Sequence, residues 1–139
     1  MNTILQASAI PYRINKNELQ ILIITSRNKK KWIIPKGIIE SGDTARSTAL
    51  KETREEAGVS GKVADVSIGN YTYKKWNSNC KVELFALHVT DIYDSWEESS
   101  FRKRKWVKAK RAVKKIEPAS LASLVEKFIK SVKIDLIEL

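Results

Sequence analysis

Residues 37–59, GIIESGDTARSTALKETREEAGV, crowd Glu52, Glu55 and Glu56 into what reads as the last turn of a helix, just before Gly58. At about 100° per residue, the three side chains project within roughly a third of the helix circumference. Like charges three and four residues apart repel, and anions at a helix C-terminus oppose the backbone dipole. A turn that accepts both penalties is expected to hold something positive. Hard divalent cations suit clustered carboxylate oxygens, and they bind substrate phosphates as well. The competing reading is a solvated helix face on which Lys51 and Glu55 form an ordinary i,i+4 ion pair. KETREE alone favours that plainer reading, and the spacing of the whole segment reverses it.

Gly37 opens the segment, and Asp43 follows after five intervening residues. After seven more, Lys51-Glu52-Thr53-Arg54-Glu55-Glu56-Ala57-Gly58-Val59 closes it. This order resembles the Nudix box, in which a glycine, a glutamate and the run R-E-U-x-E-E-x-G-U (U aliphatic) stand at the same intervals. Three positions depart from it: Asp43 for Glu, Lys51 for Arg and Thr53 for an aliphatic residue. The resemblance implies an α/β fold, a Nudix-type α/β/α sandwich with a mixed β-sheet. It further implies Mg²⁺ (or Mn²⁺) as cofactor, held by Glu52, Glu55, Glu56 and the backbone carbonyl of Gly37. Glu55 or Glu52 is then the general base. Lys51 stands where the family's Arg orients a carboxylate, and it offers a point charge instead of a bidentate fork. The catalytic set implied is therefore Glu52, Glu55, Glu56 and Lys51. Asp43 is one methylene shorter than the usual Glu and suits a helix cap, while Thr53 weakens the packing of the helix.

Beyond the box, QASAIPYR, LQILIITSR, KKWIIPKG and DSWEESSFRKRKWVKAKRAV resemble the diphosphoinositol polyphosphate phosphohydrolase branch and its bacterial relatives. That branch also accepts dinucleoside polyphosphates, so a small-molecule polyphosphate is the expected partner. Lys36, in Pro-Lys-Gly, is placed by the turn at Pro35 beside the metal loop, where it suits a phosphate. Arg27 belongs to a basic stretch before the box, and Arg102 and Arg104 to a denser one at residues 102–115. All three are candidates for a cationic rim that meets substrate. Tyr71, Tyr73 and Trp76 are candidates for stacking on a base, set against the commoner use of strand aromatics as cross-strand packing. His88, Trp32, Trp96 and Trp106 read as structural residues, and no chemistry is assigned to Cys80.

The net charge of +10 favours anionic partners. Nucleic acid binding through phosphates accounts for such blocks too, but it is not the favoured reading. Glu52, Glu55 and Glu56 argue against a fold that binds nucleotides or RNA without turnover. No apolar run approaches the roughly 20 residues that span a bilayer, and no membrane partner is expected. The first residues do not read as a signal peptide and Cys80 has no partner for a disulfide, which together point to the cytoplasm. Monomer and homodimer are both open.

The chain of 139 residues suits a single domain over residues 1–139. Strands are expected at residues 3–12 and 19–26 about a turn at residues 15–17. LQILIIT reads as a strand buried on both faces. A short strand over Trp32-Ile33-Ile34 stops at Pro35. The box helix follows, capped by Asp43 or Thr44 and ended by Gly58. Residues 62–75 and 79–90 read as a hairpin and residues 101–107 as a strand. A helical turn or two is expected at 109–115, and a helix starts near Pro118 and runs through residue 132.

Overall fold

The computed structural model describes residues 2–138, with side chains to residue 133. Met1 and Leu139 of the expected domain lie outside the described residues. Strands β1 (Thr3–Asn15) and β2 (Glu18–Thr25) form the first hairpin. Lys16 and Asn17 at its tip both take positive φ, 52° and 65°, the mirror-image turn whose twist matches antiparallel strands. β3 (Trp32–Ile33) pairs with β2.

The chain then adds a strand that sequence reading missed, β4 (Lys36–Ile38), which sets Gly37 opposite Ala7 on β1. Pro35 reads locally as a stop. Its carbonyl, however, accepts hydrogen bonds from Ser8 Oγ (2.6 Å) and Ala9 N (3.2 Å), and these carry the next residues along β1. Partners so distant in sequence leave no local pattern.

Helix α1 (Ala45–Ala57) begins at Thr44, not Asp43. The Thr44 hydroxyl accepts from Ser47 N, and the Ser47 hydroxyl accepts from Thr44 N, which satisfies two donors the helix start would otherwise leave open. Gly58 ends it at φ 67°, with its N–H bonded to the Arg54 carbonyl. Left-handed backbone of this kind favours glycine.

Strands β5 (Val59–Val63), β6 (Gly69–Lys75) and β7 (Ser78–Ile92) follow. The expected strand at 62–75 is thus two strands. β7 is long enough to take β6 along its first half and β5 along its second on the same edge. β1 lies parallel along its other edge. The strand expected at 101–107 is β8 (Arg104–Lys108), paired with β2. It starts late because Phe101 N and Arg102 N both bond to the Glu98 carbonyl and hold a turn. Helices α2 (Ala109–Lys115) and α3 (Ala119–Glu138) complete the chain.

The sheet is mixed, since only the β1–β7 pair is parallel. Both faces are covered, as LQILIIT requires. Ile21 and Ile23 enter a core with Val125, Phe128 and Ile129 of α3, while Leu22 and Ile24 enter a second core with Ala49 and Ala57 of α1. Small residues on α1 let its backbone lie close to the sheet. Thr53 is fully buried there, its hydroxyl donating to the Ala49 carbonyl at 2.7 Å. The result is the expected α/β/α sandwich.

Candidate active site

The C-terminal half of α1 and strand β4 meet at the floor of a cleft of about 1120 Å³. Glu52 and Glu56, one helical turn apart, both line it beside Gly37. The approach is close: a Cβ on Gly37 would overlap the Glu52 carboxyl. Glu56 is 6% exposed, and its Oε1 accepts a long hydrogen bond from Lys36 N at 3.4 Å.

Burial, a hydrogen bond that the protonated Glu56 donates to Glu52, and the Glu52 charge push the Glu56 carboxyl up to about 9, against the pull of Arg102. Two carboxyls this close repel when both are ionised. A divalent cation removes that conflict. Two carboxylates and the Gly37 carbonyl would supply an all-oxygen donor set suited to Mg²⁺ or Mn²⁺, and the missing Cβ at Gly37 is what lets the Glu52 carboxyl come so near that backbone.

Glu55 stands apart. It is about 100° round the helix from Glu56, and with Lys51 it lines a separate shallow hollow outside the cleft. Its carboxyl is raised above the ordinary range by burial and by the charge of Glu52. Among the described residues no three Asp, Glu, His or Cys side chains converge on one point. The expected trio of glutamates is therefore a pair plus one outlier. Lys51 is exposed.

The remaining candidates divide. Lys36 lines the cleft, with its ammonium 5.0 Å from the centre of the Tyr73 ring. Burial, then the charge of Lys75, lowers its pKa. Tyr73 donates its hydroxyl proton to Gln6 Oε1 at 2.7 Å; burial, then Cys80, pushes this phenol up to about 12. Arg27 lies at the rim, over the Phe101 ring.

Arg102 faces the cleft but is buried and tethered. Its Nε donates to Glu98 Oε1 at 2.8 Å and its Nη1 to the Thr25 carbonyl at 2.9 Å. Its Nη2 lies 3.9 Å from Glu56 Oε1, so it serves the glutamate before any phosphate. Arg104 is not in the cleft at all. It donates to the carbonyls of Ala57, Gly58 and Tyr93 at the far end of α1.

Sequence reading assigned Trp32 to packing, yet it lines the cleft. Lys75 and Lys115 line it too and were not singled out as site residues. Trp76, 59% exposed at the tip of the β6–β7 hairpin, stands at the cleft edge with Lys75 over its ring. Trp76 was among the aromatic residues expected to be able to stack on a base, and its exposure at the cleft edge fits that expectation.

Comparison with known proteins shows the family. Residues 5–128 match the family model described as NUDIX domain. The chain is 34% identical to Nudix hydrolase 21, chloroplastic, of Arabidopsis thaliana over 86% of its own length, and it spans 63% of that protein. It is 31% identical to diphosphoinositol polyphosphate phosphohydrolase 3-beta of Bos taurus, covering 81% of this chain and 68% of the relative. The fold superposes on a C. elegans Ap4A hydrolase with a TM-score of 0.76 at 23% identity, covering 94% of this chain and 98% of the other. With the family model matched over residues 5–128 and relatives at 30% identity or more, the chain belongs to the Nudix hydrolase family.

Proposed function

We propose that residues 1–139 act as one catalytic domain, a metal-dependent pyrophosphohydrolase. It cleaves a diphosphate linkage in a phosphate-rich small molecule, a dinucleoside polyphosphate or a diphosphoinositol polyphosphate, by water attack at phosphorus. The observation that carries this is Glu52 pressed against Gly37, with Glu56 one turn on, in a cleft that Arg27, Lys30, Lys31, Lys36 and Lys75 also line. Nudix hydrolases use divalent metal ions. Glu52, Glu56 and the Gly37 carbonyl would hold one here; bound, it neutralises phosphate oxygens and makes the attacked phosphorus more electrophilic.

The rest falls to the protein. Lys36 and the rim cations orient the phosphate chain and stabilise the leaving phosphate. Of the two expected bases, Glu52 lines the cleft and Glu55 does not, so Glu52 takes the proton from the attacking water. Arg102, held by Glu98 and Thr25, keeps the Glu56 carboxyl in place. The single cysteine, buried and free, supports a reducing compartment such as the cytoplasm.

Trp76 favours the nucleotide branch of the reading, because an exposed indole beside a cationic cleft offers a face on which a base can stack. The test is turnover of diadenosine polyphosphates, nucleoside triphosphates and a diphosphoinositol polyphosphate, with Mg²⁺ and with EDTA. Metal-dependent release from the dinucleotides, with a raised KM in W76A, supports the nucleotide branch. Strong competition by inositol hexakisphosphate and indifference to W76A support the inositol branch. Preferred turnover of small nucleoside diphosphate derivatives would exclude the polyphosphate class. Binding without any turnover would leave a nucleotide or RNA receptor on a Nudix fold.

A further inference from the structure

The last carbonyls of a helix lack partners within it. At the end of α1, residues 96–104 supply them. Glu55 O accepts from Glu98 N at 3.1 Å, and Glu56 O accepts from Trp96 Nε1 at 3.0 Å. Ala57 O and Gly58 O both accept from Arg104 Nη1, at 3.1 and 3.0 Å. The Arg104 guanidinium lies 4.0 Å from the centre of the Trp96 ring, and its Nη2 donates to Tyr93 O at 2.6 Å. One cation thus ties the start of β8, the 93–98 segment and the end of α1 together. A Cβ on Gly58 would stand 2.7 Å from both Arg104 Nη1 and the Trp96 ring, so glycine there makes room for the clamp as well as for the turn.

We propose that Arg104 and Trp96 are positioning residues for the cation-binding carboxylates. The proposal rests on the reading that Glu52 and Glu56 hold a divalent cation. Neither residue lines the cleft, so neither grips substrate. Trp96 fixes the backbone of Glu56 itself, through that residue's own carbonyl. Arg104 sets a full positive charge at the helix end, where the dipole and three carboxylates would otherwise accumulate negative potential. Together they hold the last turn so that both carboxyls line the cleft.

The experiment is Mn²⁺ binding without substrate, followed by the loss of the free-ion paramagnetic resonance signal. It is run on wild type, R104A, R104K and W96F, with folding checked by circular dichroism, and with kcat and KM measured alongside. Supporting partners of metal ligands typically govern affinity by tenfold or more, so R104A is expected to weaken Mn²⁺ binding by at least about tenfold. Loss of the single indole hydrogen bond in W96F is expected to cost about fivefold. R104K should recover part of the loss, and KM at saturating Mn²⁺ should stay unchanged. Folded R104A and W96F that bind Mn²⁺ as tightly as wild type would overturn the proposal, even with lowered melting temperatures. If R104A does not fold, W96F and R104K decide by the same criterion. A wild type that binds no Mn²⁺ would overturn the cation site itself, a result distinct from an intact site indifferent to the clamp.

Discussion

Gly37 and Glu56 are far apart in sequence, and each constrains the other. The space where Gly37 would carry a Cβ is occupied by the Glu52 carboxyl, which in turn presses on Glu56. G37A is therefore expected to fold, since a flexible glutamate side chain can swing aside, but to displace a cation ligand. Displacements of this size cost about 10²-fold in rate. The check is metal-dependent turnover beside the thermal midpoint, and an active G37A would contradict the donor set. Glu56 makes a second prediction. Its folded pKa, about 9, lies above its ordinary value of 4.5, so the folded state holds a proton that the unfolded chain releases. The stability this proton confers is present below pH 4.5 and is lost as pH rises through about 9. Metal-free protein should thus melt at lower temperature as pH rises across that window, and E56Q should flatten the profile. A wild-type profile that rises with pH would contradict the shared proton. At this scale the meeting of Gly37, Glu52 and Glu56 in one cleft was legible through the resemblance of residues 37–59 to the Nudix box, which carries these residue types at the same intervals. Arg104 was not. A run of basic residues looks like a substrate rim until the fold shows that this guanidinium caps a helix.

Among the elements, α1 matters most, and its ends are held by different means. The reciprocal Thr44–Ser47 bonds hold the start. T44A is expected to lower stability by about 1 kcal/mol, read from denaturant or thermal unfolding, with little change in KM. No loss would mean that the helix start is held by packing instead. Sequence left Asp43 and Thr44 open because both are good caps, and a one-residue choice is settled by how the preceding loop arrives. LQILIIT was legible as a two-faced strand because its neighbours supply cover on both sides. β4 and the split of β5 from β6 were not. Each is fixed by pairing with β1 or β7 at long range, and nothing in the local run of residues encodes it.

For the whole molecule, the net charge of +10 is gathered in part round one cleft, which draws on β1, β3, β4, α1, β6 and the segment before α3. If those lysines meet phosphate, KM for a polyphosphate should rise with added salt while kcat changes less, because screening acts on exposed charges. A KM independent of salt would remove the rim from substrate binding. Composition supports an anionic partner. Only the fold shows which cations share a wall with the glutamates and which lie elsewhere. The central claim is that Glu52, Glu56 and Gly37 hold a divalent cation for pyrophosphate cleavage. Its most direct test is the rate of diadenosine polyphosphate and diphosphoinositol polyphosphate hydrolysis against Mg²⁺ concentration for wild type and E56Q. Turnover in wild type that vanishes with EDTA, and that E56Q reduces at least about 10²-fold, is the expected result. Turnover that survives EDTA, or that E56Q leaves intact, would contradict it.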